Sequence, residues 1–313
     1  MKKFYKLILM AALTLGAAPF NASCSDDEEA DEWNATYVYL QRNDFLVGNV
    51  KTFNLTHDAN GIGGDEVSMT FAAKTQKPVN KDIVVKLRVK SETEGLDVNK
   101  ISLSSTEVTI KAGEQISEEI IATIDRTIFS AVEDKASYSF SISINDITTN
   151  NGNTIISNNL KTLPAVINKS AFCNLKSAIP DNSKLWTAKT EWSFTFQDGV
   201  ENQNTNSVIG NGGSDVATNG VPFWLTVDLK AVKTIMGIQS KHWASGYAPT
   251  QIEVFSSDNG STWKSMGVLD TKGGTQNITF ISPIQTRYLK YQMIKVPRRV
   301  DITAFYVYIP SEE

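Results

Sequence analysis

Over much of the chain apolar and polar residues alternate with a period of two, the spacing of a β-strand with one buried and one wet face. Segments 36–40, 67–71, 83–89, 107–110, 119–124 and 138–144 carry this pattern. Turn chemistry separates them, at Asn60-Gly61-Ile62-Gly63-Gly64, Ala112-Gly113-Glu114 and Asn150-Asn151-Gly152-Asn153. The pattern lapses across 168–183, where Pro180-Asp181-Asn182 marks a boundary. Beyond it a second series begins. Strands are predicted at 223–229 and 235–238, then a loop, a hairpin through Asp258-Asn259-Gly260, and a strand at 286–291. No long amphipathic helix interrupts either series.

The first 23 residues break the pattern. Lys2, Lys3 and Lys6 precede an apolar run from Leu7 to Phe20, which is shorter and richer in Ala and Gly than the ~20 apolar residues of a spanning helix. Asn21-Ala22-Ser23 then leads to Cys24, and Ser25-Asp26-Asp27-Glu28-Glu29 follows at once. Residues 1–23 read as a lipoprotein signal peptide, Cys24 as the lipidated residue and 24–32 as an acidic, solvated tether. The acidic run resembles the export signal of surface lipoproteins in the Bacteroidota. That resemblance implies an outer-membrane protein, lipid-anchored and exposed at the cell surface.

The expected fold is therefore all-β. Residues 33–168 form an immunoglobulin-like β-sandwich, 169–182 a linker and 183–313 a second sandwich. The stretch from Leu103 to Glu114 resembles the N-terminal Ig-like domain, of unassigned function, behind the lipidated cysteine of many such lipoproteins. The second region carries more specific residues: Phe223-Trp224-Leu225-Thr226-Val227-Asp228-Leu229, the hairpin from Val254 through Asp258 and Gly260 to Trp263, and Arg287-Tyr288-Leu289. In this order they resemble the coagulation factor 5/8 type C, or discoidin, family over roughly 183–313. The resemblance implies a discoidin-type jelly-roll and a binding role, in exported bacterial proteins mostly toward carbohydrate.

Charge and cysteine usage narrow the alternatives. Without the three signal-peptide lysines, 27 basic residues stand against 34 acidic ones, a balance of −7. That sign offers no electrostatic footprint for nucleic acid, and it leaves the lipid anchor as the one route to the membrane. With Cys24 lipidated, Cys173 has no partner, so neither a disulfide nor a thiolate metal site is expected. An enzyme finds little support. The two histidines, His57 and His242, fall in separate domains, and no nucleophile elbow accompanies them.

Glycan recognition needs an aromatic face for the pyranose ring and a few polar groups for its hydroxyls. The loop from Ser240 to Pro249 offers Lys241, His242, Trp243 and Tyr247, and Arg298 lies in the late segment Val296-Pro297-Arg298-Arg299. Trp243 or Tyr247 is expected to stack, with His242 and Arg298 bonding hydroxyls. The alternative packs Trp243 under its own loop and leaves His242 merely exposed. Trp192 is a further ligand candidate, whereas Trp224 and Trp263 are expected in the core. Many members of the discoidin family hold a structural calcium near an Asp-Gly loop, which Asp198-Gly199 resembles. An ordinary turn is the other reading, because the segment from Ile302 to Tyr308, where the family often places a glutamate before its last strand, contains no carboxylate. No other cofactor is expected. The function read from the sequence is non-catalytic glycan capture at the cell surface; the alternative is a protein-binding adhesin or an architectural part of a complex with neighbouring surface proteins.

Overall fold

The computed structural model describes residues 35–45, 49–187, 191–210 and 213–312. The signal peptide, Cys24 and the acidic tether lie outside these residues. Two β-sandwiches follow one another. In the first, one sheet orders strands Thr154–Ile156, Thr36–Arg42, Ser68–Thr75, Ile120–Ile124 and Ile101–Leu103. The other orders Gly61–Gly64, Lys51–Asp58, Thr162–Phe172, Ala136–Thr149, Ile83–Ser91 and Glu107–Ile110. Alternation decides which side chains meet between the sheets: Val38 and Leu40 of one strand, Phe53 and Leu55 of another, Ile83 and Val85 of a third. His57, expected in a loop, is a buried strand residue, 7% exposed, packed edge-on against Phe172.

The chain enters and leaves this sandwich at opposite ends. Thr36 donates to the Asn153 carbonyl, close to Thr149, which pairs with Ile83. At the other end Ala136 pairs with Lys169, and Phe172 and Cys173 lead away. Strand Ala136–Thr149 runs between the two ends, about 40 Å at ~3.3 Å per residue.

Residues 169–182 belong to both sandwiches. Strand Thr162–Phe172 continues through Lys169, and Leu175–Ser177 pairs with Ile278–Phe280 in the second sandwich. Between them Asn174 uses all of its polar groups on the second domain. Its N–H donates to the Met266 carbonyl at 2.7 Å and its Nδ2 to the Ser282 carbonyl at 2.8 Å. Its Oδ1 and its backbone carbonyl accept from the N–H groups of Ser282 and Ile281, each at 2.8 Å. On the other side, the Cys173 N–H donates to the His57 carbonyl at 3.0 Å. Gly267 makes this approach possible: its φ is +114°, and a Cβ there would stand 2.6 Å from Cys173 Cα. Burial pushes the free Cys173 thiol up, away from the reactive thiolate.

In the second sandwich the long strands Trp224–Lys241 and Thr275–Lys295 run side by side through one eight-stranded sheet that wraps the core. Residues 224–228 pair with 288–292, residues 233–235 with 284–286 between two register shifts, and residues 237–241 with both 275–279 and 304–308. Leu225, Val227, Ile238, Leu289, Tyr291, Phe305 and Val307 fill that core. Trp192 is 3% exposed and stands edge-on to Trp186 at 4.9 Å, which makes it a core residue and removes it as a ligand candidate. Trp224 goes the other way. It is half-buried on the outer face, in phase with Thr226 and Asp228 and out of phase with the core residues Leu225 and Val227. Trp263 is likewise half-buried, in the turn after Ser257.

Candidate functional site

At one end of the second sandwich, loops following residues 241, 271 and 295 gather beside the long excursion from Asp198 to Val216. Strand Trp224–Lys241 delivers His242 and Trp243 to this rim. The His242 N–H donates to the Gly274 carbonyl at 2.7 Å, and a single 3-10 turn, Ser245–Tyr247, completes the loop. A two-stranded ladder supplies the other wall. Val216–Thr218 pairs with Val300–Ile302, bringing Asp215 beside Arg299 and Asp301 from distant parts of the chain.

His242 does not face ligand. It is 7% exposed, and its Nδ1–H donates to the Asp301 backbone carbonyl while Nε2 lies 3.3 Å from Ser240 Oγ. Ser240 Oγ continues to the Tyr291 hydroxyl at 3.2 Å, and Tyr291 donates to Gln276 Oε1 at 3.2 Å. Burial lowers the imidazole to about 4, so the ring is neutral at pH 7. The expectation that His242 bonds hydroxyls is corrected by this burial: its role is to hold the rim. Asp301 lies beneath it, fully buried. One carboxylate oxygen accepts the Trp243 N–H at 3.1 Å, and the other has no partner among the described residues. Burial, with the nearby Asp215 carboxylate, raises Asp301 to about 6, although the Trp243 N–H pulls the other way.

Trp243 is therefore fixed at two points. Its backbone rests on Asp301, and its Nε1–H donates to Asp215 Oδ2 at 3.1 Å. The same Asp215 oxygen accepts from Arg299 Nη2 at 3.1 Å, and Arg299 Nη1 reaches Glu201 Oε2 at 3.1 Å. The indole is tethered at its polar edge, yet the residue remains 52% exposed. Tyr247, 42% exposed, stands four residues further on. Arg298 is exposed, with its neighbour Arg299 turned into the carboxylate network. The structure thus brings Trp243, Tyr247 and the two arginines to one end of the domain and withdraws His242 and Trp192 from the surface.

Glu201, Asp215, Arg299 and Asp301 are rim residues that the sequence did not single out. Arg299 is the neighbour of Arg298 in the late segment Val296-Pro297-Arg298-Arg299. Nothing local signalled that Asp215 would meet Trp243. Asp198 lies exposed in a turn closed by Gly199, whose φ is +84°. Among the described residues no group of three or more His, Cys, Asp or Glu could hold a metal ion.

Two family models match separate parts of the chain. The F5/8 type C domain family matches residues 187–304, and a family described as a domain of unknown function matches 1–77. The C-terminal region is an F5/8 type C domain. No curated protein matches the chain. Among solved structures, a two-domain protein of unknown function from Bacteroides fragilis is 15% identical at a TM-score of 0.42, covering 88% of this chain and 95% of its own. An F5/8 type C domain from Bacteroides fragilis is 17% identical at a TM-score of 0.37, covering 42% of this chain and 99% of its own. A family 32 carbohydrate-binding module from C. perfringens, solved with galactose, is 23% identical at 0.32, covering 42% and 98%.

Proposed function

We propose that this chain is a surface-exposed, outer-membrane lipoprotein that binds carbohydrate, without chemical change, at the loop rim of its F5/8 type C domain. One observation carries the reading: an exposed indole, held at its polar edge by a carboxylate, beside a second exposed aromatic ring and a network of carboxylate and guanidinium groups. The apolar C–H face of a pyranose stacks on such a ring, and the tether removes rotamer freedom that binding would otherwise have to quench. Glu201 accepts hydrogen bonds from hydroxyls, and Arg298 donates to them in its planar fork.

The same geometry speaks against catalysis at the rim. The one histidine there is buried, neutral and bonded on both ring nitrogens, so it presents no proton to a substrate. A shallow site of this kind gains only ~4–5 kcal/mol, which corresponds to a dissociation constant on the order of 0.1–1 mM. Many copies on one surface strengthen capture through avidity.

A glycan array compares wild type with Trp243→Ala. Binding of wild type to a defined sugar, lost in the variant, is the expected result. Absence of binding to every glycan would overturn the reading and move the weight to a protein partner.

A further inference from the structure

Trp224, which a strand rich in core residues would seem to bury, faces outward, and its surroundings give it a use. Directly opposed residues in an antiparallel pair share a face of the sheet. Thr226, Lys290 and Phe255 form one row across the outer face, and Trp224, Gln292 and Glu253 form the next. Leu225, Leu289, Tyr291 and Val254 point the other way, into the core. The two rings stand on strands two ladder spacings apart, about 10 Å.

The Lys290 ammonium lies between them, 5.2 Å from the Trp224 ring centroid and 5.1 Å from that of Phe255. No carboxylate among the described residues pairs with it. Asp228 is already taken, bidentate to Arg287 at 2.8 and 3.0 Å and bonded to Lys230 at 3.0 Å. Glu253 accepts from Ser265 Oγ at 2.7 Å. Arg287 and Lys230 are paired with Asp228, and Asp270 at the sheet edge accepts from Gln251 at 2.8 Å, so Lys290 is the charge of this face that no carboxylate among the described residues neutralises. The first sandwich does not close over it: a cleft of ≈ 420 Å³ separates Glu253 and Ser265 from Glu133 and Asp134.

Rings in phase with hydroxyl, amide and carboxylate groups suit a polyhydroxylated ligand, and an ammonium held over those rings, with no carboxylate partner among the described residues, suits an anionic one. The spacing of the rings exceeds one sugar, which points to a polymer. We infer that this outer sheet face is a second binding surface, for an acidic polysaccharide, with Lys290 pairing its carboxylate or sulfate groups and Trp224 and Phe255 bearing on neighbouring sugar rings. The inference stands on a surface distinct from the loop rim, so either can fail without the other.

Affinity electrophoresis of the full-length protein through gels containing polygalacturonate, chondroitin sulfate or a neutral galactan tests it. Retardation by at least one acidic polymer is expected, weakened about tenfold by Lys290→Gln or Trp224→Ala and left within about twofold by Trp243→Ala. Near-ultraviolet circular dichroism verifies that each variant is folded, and Lys290→Gln keeps the test open if Trp224→Ala does not fold. Retardation by polygalacturonate alone or by chondroitin sulfate alone names the anion and supports the inference. Four results would overturn it: no retardation by either acidic polymer, retardation indifferent to Lys290→Gln, retardation lost in Trp243→Ala, or face variants that alter only self-association in sedimentation.

Discussion

Asp301→Asn is expected to make the protein more acid-sensitive than the wild type. His242 and Asp301 titrate in opposite senses because burial penalises opposite protonation states. The imidazole is held at about 4 against an ordinary 6.5, so its contribution to stability is whole above 6.5 and lost as pH falls through 4. The Asp301 carboxyl is held at about 6 against 3.8, so its contribution is whole below 3.8 and lost as pH rises through 6. Between about pH 7 and about pH 4.5, His242 withdraws about 2 kcal/mol and Asp301 restores about 2 kcal/mol, at ~1.4 kcal/mol per pH unit. The two contributions therefore nearly cancel in the wild type over this window. Asparagine removes the second term alone. It keeps the acceptor for the Trp243 N–H and the backbone carbonyl that His242 uses, so the imidazole stays buried and low. Urea unfolding followed by tryptophan fluorescence at the two pH values should show the variant losing about 2 kcal/mol relative to wild type on acidification. Carboxylates held low elsewhere, Asp228 among them, act in both proteins and cancel. A variant with the wild-type pH slope would refute the reasoning, as would a His242→Gln protein that fails to gain stability on acidification.

Other outcomes follow from the same contacts. Trp192→Ala should cost ~3–5 kcal/mol in denaturant unfolding, as emptied aromatic core sites do, while leaving rim affinity unchanged in the folded protein. Asp215→Ala, which releases both the Trp243 indole and Arg299, should weaken rim binding about tenfold in calorimetric titration, with a stability change of only ~1 kcal/mol. Gly267→Ala forces a Cβ onto Cys173 at a positive φ and should destabilise by about 2 kcal/mol or more, detected as a lower melting temperature and faster proteolysis near the junction.

Period-two alternation was enough to read both β-rich regions, because a strand with one wet face writes its geometry directly into residue order. The same signal already held the orientation of Trp224, which shares its phase with Thr226 and Asp228; the resemblance to a family that buries this strand motif led to the opposite expectation. His57 shows the same thing in reverse, a polar residue in phase with Phe53 and Leu55. Rim chemistry was legible only where it is local, in the exposed Trp243 and Tyr247. The carboxylates that orient the indole come from segments far apart in the chain, and only the ladder between Val216–Thr218 and Val300–Ile302 unites them. Burial of His242 was equally hidden, since the carbonyl that holds its ring belongs to Asp301, 59 residues further along the chain.

The position of the two ends of the first sandwich has a mechanical consequence. Tension between Thr36 and the second domain pulls on strand Thr36–Arg42 at one pole and on strand Thr162–Phe172 at the other. The force then runs along the strands, so ladder hydrogen bonds are sheared together instead of peeled one after another. Asn174 and Cys173 pass that force on without slack, because their polar groups bridge directly from His57 to Met266 and Ser282. A grip on the second domain would be transmitted as a pull on the whole ladder, and rupture would require many of its bonds to yield at once.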